Sequence, residues 1–140
     1  MKHLIYVLAF GILGFVNVNA QTNKHTIIIK FSGMKSDKGD VYVALYNNEK
    51  SFLRKEILGK IATIKNQKAT VIFEDIAPGD YAVSSFHDEN NNKKMDTNFI
   101  GIPKEPIGIS NNAKGFMGPP KYKDAKFTVS TDVLLNIIIR

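Results

Sequence analysis

Residues 69–88 read A-T-V-I-F-E-D-I-A-P-G-D-Y-A-V-S-S-F-H-D, and the fold class turns on them. Ala69, Val71 and Phe73 alternate with Thr70, Ile72 and Glu74, the period of two that puts one face of a strand against a core. Pro78 fixes φ and Gly79 can take φ above zero, so the pair predicts a type II turn. Beyond it, Tyr81, Val83, Ser85 and His87 share one face of a second strand.

The same alternation recurs on both sides. Ile27, Ile29 and Phe31 face one way with Thr26 and Lys30 opposite, and Val41, Val43 and Leu45 repeat the pattern after the polar run Lys35–Asp40. Residues 25–32 and 41–45 are therefore expected to pair as a hairpin. In 47–58, Ser51, Phe52, Leu53 and Ile57 have the spacing of one or two helical turns, predicting a short helix capped by Ser51 or an irregular crossover. Further strands are expected at 60–65, 126–129 and 133–139, with Asn66-Gln67-Lys68 as a turn. Regularly spaced strands without long alternating helices predict an all-β protein, a single antiparallel β-sandwich. The F-x-x-I-x-P-G-x-Y turn at 73–81 resembles that of transthyretin-like and collagen-adhesin-B-like sandwich domains, which implies a transthyretin-like or Ig-like arrangement.

The 140 residues begin with Lys2 and His3, an apolar run from Leu4 to Val16 and the small-residue end Val18-Asn19-Ala20. That is the pattern of a signal peptide, residues 1–20; the run is shorter than the roughly 20 residues that span a bilayer. The mature domain is expected to be residues 21–140, exported to the periplasm or the medium, without an integral membrane anchor. A chain of that length suits one core that buries roughly two thirds of its unfolded surface. With no cysteine, neither disulfides nor a lipidated thiol can hold it. The net charge of +6 comes from lysines scattered along the chain, with no basic stripe of the kind nucleic acid requires.

The distinctive chemistry follows His87. Asp88, Asn90, Asn92 and Asp96 place hard oxygen donors at loop positions one, three, five and nine, with the Lys94 carbonyl at seven. Calcium takes six to eight such oxygens, and alternate donors let one tight loop wrap it. Two departures from an EF-hand-like loop stand out: Lys93 where a sharp-turn glycine belongs, and Phe99 where a bidentate acid belongs. Glu89 or a carboxylate from elsewhere could complete the shell. The competing reading is a hairpin loop held by Asx turns without a metal.

His87 beside carboxylates, with Ser84, Ser85 and Ser110 in the chain, leaves a hydrolase or transferase as an alternative, although no nucleophile elbow, metalloprotease helix motif, P-loop or dinucleotide fingerprint is present. Residues 97–123 form a long Gly/Pro/Asn-rich segment with Phe99, Ile100, Ile102, Ile107, Ile109, Phe116, Met117 and Tyr122. Such a segment either packs as an Ω-like flap over one end of the sandwich or offers Phe116 and Tyr122 to a protein or glycan partner in the cell envelope. A third possibility is an assembly subunit that adds a strand to an open sheet edge.

From F-H-D-E-N-N-N-K-K-M-D through T-N-F-I-G-I-P-K-E-P-I-G-I-S-N-N to G-F-M-G-P-P-K-Y-K-D-A-K-F, together with S-D-K-G-D-V-Y-V-A-L-Y-N at 36–47, the chain resembles domain of unknown function 2141, a family of small exported bacterial proteins. The resemblance implies a signal peptide, an all-β sandwich and no assigned activity. It also implies glycines where this chain has Asn91 and Lys93, and it matches Ser110-Asn111-Asn112 without giving them a role.

Overall fold

The computed structural model describes residues 23–140; the signal-peptide reading of residues 1–20 lies outside them. Strands β1 (His25–Ser32), β2 (Asp40–Tyr46), β3 (Leu58–Thr63), β4 (Ala69–Ile76), β5 (Gly79–Asp88), β6 (Ile107–Ile109), β7 (Phe127–Val129) and β8 (Val133–Ile138) form two sheets, and α1 (Tyr122–Ala125) is a single turn. The smaller sheet has the order β4-β1-β8; the larger runs β3-β2-β5-β6, with β7 also on β5. The protein is an all-β sandwich.

The alternation read from sequence places the core. Ile27, Ile29 and Phe31 of β1 and Val71 and Phe73 of β4 point at Val41, Val43 and Leu45 of β2 and Tyr81 and Val83 of β5, all buried between the sheets. Each such aliphatic or aromatic side chain stabilises the fold by about 1.5–3 kcal/mol. At the corner after β4, Tyr81 donates its hydroxyl to the Ala77 carbonyl at 2.8 Å, tying the new strand to the turn that feeds it. Gly79 is nearly extended there (φ 158°) and Asp75 takes the left-handed conformation (φ 59°), so the expected type II turn is not what reverses the chain.

Two pairings differ from expectation. β1 and β2 are not a hairpin: β1 lies between β4 and β8, whereas β2 lies between β3 and β5. Residues 33–39 carry the chain from one sheet to the other and bury Met34 between them, and a Cβ on Gly33 (φ 91°) would come within 2.5 Å of the Ile139 carbonyl oxygen. β1 and β8 run parallel, from Ile27 opposite Val133 to Ser32 opposite Ile138, so the sandwich is not antiparallel throughout. After β8 the chain changes sheets, since Ile139 N–H donates to Ser32 O and Arg140 N–H to Ile107 O.

No helix forms in 47–58, where the irregular crossover is the arrangement found. Arg54 and Lys55 N–H both donate to Ser51 O, but Leu53 (φ 58°) breaks the turn, and the Asn48 carboxamide oxygen, not Ser51, caps it by accepting from Ser51 N–H at 3.0 Å. Phe52 meets Tyr46 and Tyr122 edge-on at 5.3 and 5.7 Å, building a small second core on the outer face of the larger sheet.

Candidate functional site

Asp88 ends β5 opposite Asp40, its side chain fully buried where the 33–39 connection crosses. Gly39 (φ 68°) permits that crossing, since a Cβ there would overlap the Asp88 carbonyl. The Asp88 carboxylate accepts from Asn92 N–H at 3.2 Å and Lys93 N–H at 2.8 Å and so folds the loop over itself. Asn90 Oδ1 accepts from Asn92 N–H and Asn92 Oδ1 from Lys94 N–H, each at 3.0 Å, two Asx turns in succession. Asn91 (φ 60°) and Lys93 (φ 66°) are left-handed, so Lys93 adopts the conformation that glycine supplies in an EF-hand-like loop.

The carboxamides of Asn90 and Asn92 both donate to Asp96. Those bonds, Asn92 first and then Asn90, with Lys94 and Lys104 nearby, hold the Asp96 carboxyl below the ordinary carboxylate range. Asp88, Asn90, Asn92 and Asp96 are thus linked by hydrogen bonds within one turn of chain, with the carboxamide nitrogens, not the oxygens, facing Asp96. The Lys94 carbonyl is left out of the loop's hydrogen bonds. Among the described residues no three His, Cys, Asp or Glu side chains form a ready-made metal cluster, so a cation here would draw part of its shell from amide oxygens.

One carboxylate in the site went unassigned in the sequence. Residues 96–105 form a miniature hairpin: Lys104 N–H donates to Asp96 O, Asn98 N–H to Ile102 O, and Thr97 bridges to Pro103. The return leg sets Glu105 beside the start of the excursion, where its Oε2 accepts from Asp96 N–H at 3.2 Å. Burial pushes the Glu105 carboxyl above its ordinary range, and the Asp88 and Asp96 charges push the same way. The turn-forming Asn98 and Gly101 between Thr97 and Pro103 were the available signal that the chain would double back.

The remaining polar candidates have structural partners. The His87 ring, fully buried on the inner face, donates Nε2–H to Lys38 O at 2.6 Å, which leaves Nδ1 unprotonated in the neutral ring, 3.8 Å from Glu89 Oε1. Ser110 accepts from Val83 N–H and donates to Ala125 O at 2.6 Å. Ser84 pairs with the Tyr46 hydroxyl at 3.0 Å and Ser85 donates to Gly108 O at 2.7 Å. Asn111 donates to Asp124 O and Lys126 O, and Asn112 accepts from Ile138 N–H, so Ser110-Asn111-Asn112 clamps β5, α1 and β8 together.

The 97–123 segment is neither a plain flap nor a uniform binding loop. Ile109 and Tyr122 pack on the sheet, while Phe99 is 98% exposed, Phe116 91% and Met117 94%. On the outer face, Ile61, Tyr42, Phe86 and Ile107 line up across four strands, with Tyr42 stacked on Phe86 at 5.0 Å. Beside that row, Gly59, Ala44 and Ser84 floor an open groove of about 1770 Å³, over which the segment brings Ile100, Ile102 and Met117.

Among the described residues no helix is long and apolar enough to cross a membrane. No curated protein and no solved structure significantly matches the chain. A family model described as "uncharacterized protein conserved in bacteria" matches residues 29–135, most of the sandwich and all of the loop and its hairpin; the chain belongs to that family, DUF2141.

Proposed function

We propose that this is an exported, non-enzymatic binding module, stabilised by calcium in the 88–96 loop, that engages a protein or glycan of the cell envelope through residues 97–123. The observation that carries it is the convergence of Asp88, Asn90, Asn92 and Asp96 on one turn of chain, with Lys93 taking up the sharp-turn conformation. Hard oxygen donors without thiolate or imidazole favour calcium over a transition metal. The exposed Phe99, Phe116 and Met117 beside the apolar groove suit a partner that covers them. Export rests on the sequence of residues 1–20.

The hydrolase or transferase alternative is disfavoured by the sealed position of His87 and by the partners that Ser84, Ser85 and Ser110 already have. Calorimetric titration of residues 21–140 with calcium, magnesium serving as the control, tests the proposal. Saturable calcium binding should raise the unfolding temperature, by the equivalent of about 2.7 kcal/mol at a hundredfold excess over Kd, and Asp96→Asn should weaken it. Absence of binding to the folded protein would remove the metal from the proposal.

A further inference from the structure

We infer that the trough across the outer face of the larger sheet binds a linear acyl chain with an anionic head group, the head held at the β6 end by Lys114 and Arg140. Neither the calcium loop nor the partner surface enters into this site; the sheet itself forms it. The strand register sets the outward side chains in rows that run across the strands. Gly59, Ala44 and Ser84 form one row, and Ile109 of β6 closes its end. On one side stands the bulkier row Ile61, Tyr42, Phe86 and Ile107. On the other stand Leu53 and Tyr46, the latter packed against the Phe52 ring. A floor of small residues between walls of large ones makes a channel one side chain wide. The three interstrand spacings from β3 to β6 make it roughly 14 Å long, and Ile100, Ile102 and Met117 line it from above.

The polar side chains of the trough decide what it holds. Tyr46 and Ser84 pair their hydroxyls with each other, Ser85 donates to Gly108 O, and the Asn112 carboxamide oxygen accepts from Ile138 N–H. A sugar or an extended peptide buried there would bring hydroxyls or amides that find few partners, and unsatisfied polar groups weaken binding. An alkyl chain brings none, and each methylene it removes from water favours the complex. A flat fused-ring ligand needs a floor wider than one row. The charges orient the chain. Arg140 exchanges both backbone bonds with Ile107, and Lys114 closely follows Asn112, which is bonded to β8, so both cations belong to the β6 end of the groove they line. Among the described residues neither forms an ion pair. Glu56 lines the opposite end, where β3 begins. A carboxylate or phosphate head therefore sits by Lys114 and Arg140, and the tail runs over Ser84, Ala44 and Gly59 to the open edge at β3.

The test titrates delipidated residues 21–140 with cis-parinaric acid, a fatty acid that fluoresces when buried, and displaces it with octanoate, decanoate, laurate and methyl laurate below their micellar concentrations. Binding should saturate, and affinity should rise from octanoate to laurate by about threefold per methylene. Lys114→Glu with Arg140→Glu should weaken laurate at least about tenfold and leave methyl laurate unchanged. At Gly59 a Cβ meets nothing nearer than 3.8 Å, so Gly59→Phe should fold, fill the trough and abolish displaceable binding. Ala44→Leu does the same should that variant not fold. Ile72→Ser, on the outer face of the other sheet, should bind as wild type. Absence of saturable binding, affinity indifferent to chain length, or undiminished binding by the filled variants overturns the site, as does an equal loss in Ile72→Ser. Equal loss of laurate and methyl laurate in the double charge variant overturns the head-group assignment. Sedimentation of the unliganded protein gives the last arm: a dimer that excludes the probe would make a second copy the occupant and refute the acyl site.

Discussion

Replacing Lys93 by glycine should stabilise the protein, although it deletes a side chain. Lys93 has φ 66°, in a region that costs a residue with a Cβ about 1–2 kcal/mol. Glycine removes that penalty but has more unfolded-state entropy to lose, about 0.5–1 kcal/mol. The net gain is about 0.5–1 kcal/mol, or about 2–5 °C in unfolding temperature for a domain of this size. The bond from the position 93 N–H to Asp88 Oδ2, at 2.8 Å, is a backbone contact and survives the change. Lys93→Ala controls for the lost charge, because it discards the ammonium while keeping the Cβ; it should be less stable than Lys93→Gly by about 1 kcal/mol. Asn91→Gly supplies a second comparison. Asn91 is also left-handed (φ 60°), but asparagine tolerates that region, so little gain is expected. Thermal and urea unfolding in chelator measure all three without a contribution from bound cation. If Lys93→Gly proved no more stable than Lys93→Ala, the left-handed assignment and the loop geometry built on it would be wrong.

Two other perturbations probe the frame around the site. Gly108→Ala would place a Cβ 2.7 Å from Ile137 Cγ2 and 2.9 Å from both Ile139 Cγ1 and Ser85 Oγ, so urea unfolding should reveal a destabilisation of about 1–3 kcal/mol. Asp80 receives bonds from Lys126 Nζ at 2.8 Å and Thr128 Oγ1 at 2.6 Å, which lower its pKa, and the same pairing raises that of Lys126. The Asp80 contribution is therefore present above its unfolded pKa near 3.8 and lost as pH falls through the lower folded value; the Lys126 contribution is present below 10.5 and lost as pH rises through the higher one. The stability gap between wild type and Asp80→Asn should accordingly narrow at both extremes of a pH series of melting curves, and a constant gap would argue that the pair contributes nothing.

Strand faces were legible in the sequence because alternation is a local property. Ile27, Ile29 and Phe31, and likewise Val71 and Phe73, point where their spacing says they should. Partners were not legible, because alternation says which side of a strand is wet and nothing about its neighbours. Thus β1 looked like half of a hairpin with β2, whereas Met34, within the supposed turn, is a core residue of a crossover between sheets. The site divides in the same way. Asp88, Asn90, Asn92 and Asp96 lie close in the chain and could be found by spacing, whereas Glu105 reaches them only through the closing bonds of the 96–105 hairpin. Nor could the exposure of Phe99, Phe116 and Met117 be anticipated, since an apolar residue in a loop does not announce whether anything covers it.

The parallel pairing of β1 with β8 bears on how the chain assembles. Ile27 and Val133 belong to opposite ends of the described sequence, and such distant pairings slow folding toward the millisecond-to-second range. Until β8 arrives, β1 has β4 along one side and an open ladder along the other, and an open ladder is a template for any extended strand nearby. During synthesis the chain would have the hydrophobic residues of β1 to β7 in hand yet lack the strand that seals them. Docking of β8 thus acts as the closing step that separates a chain with an open ladder from the sealed sandwich, and shielding of that one ladder is what a chaperone would most need to provide.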